Sequence, residues 1–227
     1  MINNFENIKN SKFFKEFIEL SNNMDVFLTI LIMKRRKDNP DMKKDVSIVR
    51  QFTVCNEKEY DDLQPKIIDL CQTNNARAYL SVNVRDSREI LLNMATKCIE
   101  KYKEKGSSIA PWNIFWEVAG QSGIVKGHKR WVIDVDDYDI NNYMDHPIYI
   151  IIRDIICTTQ SIDTFNKSFD IIPSRTGFHI IVSPFDIAKF QKDINGYIGK
   201  NYQLLADYKN VKDFIKKDNL TILYIAY

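Results

Sequence analysis

The sequence predicts an α+β fold, and three observations carry that prediction. Helical and strand periods are mixed along the chain without a strict βαβ repeat. Hydrophobic residues make up 44% and charged residues 27%, the balance of a chain with its own core and not of a disordered or membrane protein. No internal repeat, low-complexity run or flexible linker divides the 227 residues, so one two-lobed unit is expected, with an N-terminal α/β part over 1–75 and the remainder over 76–227.

Phe13, Phe14, Phe17, Ile18 and Leu20 recur at helical spacing behind Ser11, a natural cap. Val26–Lys34 and Val46–Cys55 are β-branched and aromatic, and the polar stretch between them, with Asn39-Pro40, predicts a hairpin with a long basic tip. Glu57–Thr73 returns to helical period, with Pro65 clouding its start, and Ala76–Val84 is a strand. Ser87–Lys105 carries Ile90, Leu91, Met94, Cys98, Ile99 and Tyr102 on one predicted core stripe, stopped by Gly106. Trp112 and Trp116 follow at helical spacing. Gly120, Gly123 and Gly127 then share a short stretch with Lys126, His128, Lys129 and Arg130, which reads as a mobile basic loop. Trp131–Asp136 is a strand, Asn142–Cys157 a helix, and Phe169–Ile172 and Phe178–Val182 are strands joined by the turn Pro173–Gly177. A helix over Asp186–Ile198 and a strand over Leu220–Ala226 close the chain.

Several function classes drop out early. Cys55, Cys71, Cys98 and Cys157 form no C-x-x-C pair, which excludes a zinc site of sequence-local cysteines, and they read as reduced core residues. The start of the chain has no signal-peptide pattern, and the apolar runs are too short to span a bilayer, so an intracellular, cytoplasmic protein without a membrane partner is expected. The net charge of +2 argues neither for nor against nucleic acid, and any electrostatic footprint must be local. The densest basic patch is Lys34, Arg35, Arg36, Lys37, Lys43 and Lys44, with Asp38, Asp41 and Asp45 interspersed. It suits either a nucleic-acid backbone or a solvated hairpin tip. No Walker loop, G-x-S-x-G elbow or H-E-x-x-H helix occurs.

Two stretches carry chemistry. In Trp131-Val132-Ile133-Asp134-Val135-Asp136, strand alternation puts Asp134 and Asp136 on one face and Trp131, Ile133 and Val135 on the other. Two adjacent carboxylates repel, and Mg²⁺ or Mn²⁺ would relieve that repulsion. In Ser174-Arg175-Thr176-Gly177-Phe178-His179-Ile180, a turn supplies a hydroxyl, a guanidinium and backbone N–H groups just before a strand histidine, chemistry suited to a triphosphate. Each stretch alone has an ordinary reading, an acidic strand end and a core histidine.

Together the two stretches resemble the archaeo-eukaryotic primase superfamily, the primase-polymerase fold, specifically over Lys129–Val182 and diffusely over Ala76–Arg88. That resemblance implies an RRM-like antiparallel sheet as catalytic module, packed beside an N-terminal α/β module. It assigns two divalent ions to Asp134, Asp136 and a third carboxylate, and the triphosphate to His179 with Ser174, Arg175 and Gly177. Lys129 and Arg85 are further phosphate candidates, as are Arg77, Arg88 and His128. The third carboxylate best matches Asp218 in Lys217-Asp218-Asn219-Leu220-Thr221, although Lys217 stands where an apolar residue is usual. Asp207 and Asp170 are its rivals. The implied activity is metal-dependent nucleotidyl transfer, making or extending a primer on a single-stranded template from nucleoside triphosphates, with a helicase or other replication protein as partner. The alternative is a primase-like adaptor that binds nucleotide or nucleic acid without turnover.

Overall fold

A computed structural model describes residues 1–105, 110–120, 125–136, 147–159, 169–198, 215–217 and 220–226. It is an α+β structure built on two antiparallel sheets. The elements in chain order are β1 (Ile2–Asn3), α1 (Phe5–Asn10), α2 (Lys12–Ser21), β2 (Val26–Arg35), β3 (Val46–Val54), α3 (Glu57–Asn74), β4 (Arg77–Ser81), β5 (Val84–Asp86), α4 (Ser87–Lys105), α5 (Pro111–Ala119), β6 (Val125–Lys126), β7 (Trp131–Asp136), α6 (Pro147–Thr158), β8 (Phe169–Pro173), β9 (Gly177–Val182), α7 (Ile187–Ile198), β10 (Ile215–Lys217) and β11 (Leu220–Ile225).

The larger sheet is curled and runs β1-β11-β4-β2-β5-β6, with β3 paired to β2. β4 and β5 run alongside β2 as one antiparallel strand interrupted at Val82 and Asn83, where the register shifts. That interruption frees the Asn83 side chain to act as a piece of backbone. Its Nδ2 donates to the Arg130 carbonyl (2.9 Å) and its Oδ1 accepts from the Arg130 N–H (2.6 Å), which ties the larger sheet to the chain just before β7. The C-terminal β11 returns to pair with β4, so strands from both ends of the sequence build this sheet, and its limits do not follow a division at residue 75.

The smaller sheet has the order β10-β7-β9-β8 with every pair antiparallel. Its chain order, β7-α6-β8-β9-α7-β10, is a βαββαβ unit, with β9 inserted between β7 and β8. The expected alternation holds on both central strands. Trp131, Ile133, Val135, Phe178, Ile180 and Val182 pack with Ile152, Ile155, Phe190 and Ile194 of α6 and α7. Val132 and Ile181 turn to the main core instead, beside Leu28, Ile30, Leu80 and the aromatic residues of α1 and α2. The smaller sheet therefore buries its second face against the main core.

Ser11 caps α2 as expected, its Oγ accepting from the Phe14 N–H (3.3 Å). Pro65 lies inside α3, on an exposed position where the carbonyl of exposed Asp61 can turn to solvent. β1, α1 and β10 have no counterpart in the sequence reading, being too short for a periodic signal. The expected core stripe of α4 splits. Ile90, Met94 and Cys98 pack with Phe27, Ile114 and Val118, whereas Leu91, Leu92, Ile99 and Tyr102 are exposed, because α5 covers only one side of the helix. Of the cysteines, Cys71 is buried as expected, its thiol pushed up to about 12 by burial, whereas Cys55 and Cys157 are exposed. No described helix is long and apolar enough to cross a membrane.

The α4–α5 contact carries a pH dependence. Lys101 and Lys97 each hydrogen-bond Glu117 (2.6 Å) and hold its carboxyl down to about 2 from an ordinary 4.5. A depressed carboxyl stabilises the folded form fully above its unfolded value and loses that contribution as pH falls through the folded one. Tryptophan emission, reporting Trp112 and Trp116 beside Glu117, is expected to shift between about pH 4.5 and 2. The transition should be absent in Glu117→Gln.

Candidate active site

β7 and β9 pair in a register that sets Asp134 directly opposite His179. Directly opposed residues on one sheet face lie within side-chain reach, and His179 Nε2 meets Asp134 Oδ1 at 3.2 Å. On the other side of the ring, Nδ1 lies 3.1 Å from Thr221 Oγ1 of β11. A carboxylate only accepts, so Nε2 donates to Asp134; with Nε2 carrying the hydrogen of a neutral ring, the Thr221 hydroxyl is the donor to Nδ1. The chain Thr221–His179–Asp134 thus bridges the two sheets. Thr221 and His179 are buried, and Asp134 is only partly exposed.

Asp134 and His179 line a cleft of about 320 Å³, within the range of small-ligand sites. The larger sheet lines it with Met33 and Arg35 of β2, Arg77 and Tyr79 of β4, and Leu220 and Ile222 of β11; Lys37 joins them from the β2–β3 loop. The smaller sheet adds Asp134, His179 and the β8–β9 turn residues Ser174, Arg175 and Thr176. Among the described residues the lining carries four cationic side chains and one carboxylate, that of Asp134, chemistry that suits an anion. Ser174 Oγ is buried with no hydrogen-bond partner among the described residues, and the turn is closed by the Ser174 N–H donating to the Gly177 carbonyl (2.9 Å). Asn4 fastens the cleft's two walls from behind, its Nδ2 donating to the carbonyls of Pro173 (2.7 Å) and Ile222 (3.0 Å).

The structure brings together Asp134, His179, Ser174 and Arg175, all singled out from sequence. Gly177 sits on β9 opposite Asp136, which is two positions beyond Asp134 on β7. Asp218 and Asp207 lie outside the described residues. Asp170 has a different employment: its two oxygens accept from the N–H groups of Lys12 (2.7 Å) and Phe13 (3.2 Å) at the start of α2. Asp170→Ala is therefore expected to cost about 1.5 kcal/mol of stability by chemical denaturation. Any activity of the cleft should survive the change.

Arg85 and Lys129 are not among the residues that line the cleft. Arg85 is buried on β5, opposite Phe27 and Val125. The glycine-containing stretch before β7, read as a mobile basic loop, is a packed joint where it is described. β6 pairs with β5, Lys126 bridges Asp86 (3.1 Å), the His128 N–H donates to Glu16 Oε1 (3.0 Å), and the buried Arg130 pairs with Glu16 Oε2. Gly127 has φ +71°, where a side chain is strained, and a Cβ there would meet Glu16 Oε1 at 2.5 Å and force the carboxylate to shift. Sequence reasoning gave Thr221 no role and Arg77 only a general one. It had no means to pair Arg77 with Asp38, whose carboxylate holds the Arg77 guanidinium at 2.6 Å through both Nε and Nη2.

No protein-family model matches the chain, and neither a search of curated proteins nor one of solved structures finds a significant match.

Proposed function

We propose that the chain is a metal-dependent nucleotidyltransferase of the primase-polymerase type, whose βαββαβ unit is the RRM-like catalytic module. The observation that carries this reading is the meeting of Asp134 and His179 across β7–β9 in a cleft whose lining includes Arg35, Lys37, Arg77 and Arg175. Arg77, Arg175, Lys37 and Arg35 supply the charge that a triphosphate needs, with the guanidinium forks suited to phosphate oxygens. Tyr79, Met33, Leu220 and Ile222 offer apolar surface to a base or sugar. The exposed basic tip between β2 and β3 provides a path for a nucleic-acid backbone beside the cleft.

Asp134, Asp136 and Asp218 would hold the divalent ions; an acidic donor set at the end of a strand suits Mg²⁺ or Mn²⁺. Ions bound there would lower the pKa of an attacking 3′-hydroxyl and neutralise the leaving pyrophosphate. His179 Nε2, which now faces Asp134, is the group that would donate to a phosphate oxygen if Asp134 were engaged by an ion. Thr221 keeps the ring in place and its tautomer unchanged. Ser174 contributes a hydroxyl at the same edge of the cleft.

The test is incorporation of labelled nucleotides on single-stranded templates with Mg²⁺ or Mn²⁺, with and without a primer. The reading predicts metal-dependent, template-dependent product. Bound nucleotide with no product under either metal would reject it in favour of a non-catalytic adaptor.

A further inference from the structure

Two of the cleft's three guanidinium groups, those of Arg77 and Arg175, already hold an anion from the protein itself. Asp38 lies in the loop between β2 and β3, where its own N–H and that of Asn39 donate to the Arg35 carbonyl (both 3.0 Å). Its side chain is only 1% exposed. Both of its oxygens engage Arg77, and Oδ1 also accepts from Arg175 Nη1 at 3.1 Å. Arg77 belongs to the larger sheet and Arg175 to the β8–β9 turn of the smaller one, so this single carboxylate closes a bridge across the cleft. The geometry is the bidentate fork that guanidinium uses for carboxylate and phosphate alike. Arg77 receives both Asp38 oxygens, whereas the contact given to Arg175 is from Oδ1 alone.

We propose that Arg77 and Arg175 form a polyphosphate site which the Asp38 carboxylate occupies in the absence of ligand, and that an incoming triphosphate displaces it. This rests on the reading of the cleft as a triphosphate site, and is independent of any transfer chemistry. A phosphate chain carries several negative oxygens and can offer each fork two of them, where Asp38 has only two to share between both. Asn75 holds the loop backbone in place meanwhile, its Nδ2 donating to the Asp38 carbonyl (2.8 Å) and its own carbonyl accepting from Asn39 Nδ2 (3.0 Å). Exchange therefore requires movement of one side chain, not of the hairpin. Asp38 acts as a built-in competitor, and the apparent affinity for the ligand is reduced by the fraction of molecules in which the site is closed.

The experiment is calorimetric titration of inorganic tripolyphosphate into the wild-type chain, Asp38→Asn and Arg175→Gln. Asp38→Asn keeps the size of the side chain and removes the competing charge, so it is expected to bind about tenfold more tightly. Tripolyphosphate should also raise its Tm more than that of wild type. Arg175→Gln should weaken binding. Affinity in Asp38→Asn equal to or below that of wild type would overturn the latch while leaving the site intact, and no binding by any of the three would overturn both. Should Asp38→Asn fail to fold, a crystal structure of the wild type with tripolyphosphate decides: the latch requires the Asp38 carboxylate out of hydrogen-bond distance of Arg77, and an unbroken Asp38–Arg77 pair beside the bound anion refutes it.

Discussion

Asp134→Asn is expected to lower nucleotide incorporation about a thousandfold while leaving triphosphate binding within about threefold of wild type. The substitution keeps the size of the side chain and an acceptor for His179, and removes the charge that the proposed ions require. His179→Ala should weaken triphosphate binding as well as turnover, because in the proposed chemistry the ring donates to the substrate and does not hold metal. Thr221→Val separates positioning from contact. It is nearly isosteric, fully buried in the wild type and distant from any reacting atom in the proposed chemistry, yet it leaves Nδ1 without its donor. A loss of about tenfold in kcat with KM little changed is expected, since the ring loses its fixed tautomer and orientation. Steady-state incorporation on a primed template measures all three, and equal losses in kcat and KM across the series would argue that the chain merely holds the fold together.

The largest effect on stability is expected at Glu16, far from the cleft in sequence. Its carboxylate accepts from the His128 N–H and from the buried Arg130 side chain, whose backbone Asn83 grips from the other sheet. Glu16→Ala leaves the Arg130 guanidinium, of which 2% of the side chain is exposed, without this counter-charge in the joint before β7. Breaking a buried ion pair from one side costs about 3 kcal/mol, and chemical denaturation should show it. Gly127→Ala attacks the same joint by steric means, and the two changes should be less than additive because they disturb one contact.

What was legible in the sequence is what depends on local period. The alternation of Trp131–Asp136 and Gly177–Val182 is enough to put Asp134 and His179 away from the apolar partners of α6 and α7, and the structure pairs them in register. What was not legible depends on partners far along the chain. A run of glycines and basic residues before β7 looks the same whether it wraps a phosphate or packs on Glu16, and only the fold brings α2 to it. Asp170 looked like a spare carboxylate because the N–H groups it caps are those of Lys12 and Phe13. The apolar positions of α4 show a helix with an apolar side, but they do not show that α5 covers Ile90, Met94 and Cys98 and leaves Leu91, Leu92, Ile99 and Tyr102 exposed. Asp38 seemed one acid among many in a basic tip, and its burial against Arg77 arises from the return of β4 beside β2.

The central claim, that this cleft is a nucleotide-transfer site, is tested most directly by a crystal structure with Mn²⁺ and a non-hydrolysable nucleoside triphosphate. The account predicts anomalous density for Mn²⁺ at about 2.2 Å from Asp134, with Asp136 and Asp218 completing the site, and phosphate oxygens on Arg77, Arg175 and His179. Mn²⁺ bound away from Asp134, or a triphosphate seated outside the cleft, would contradict it.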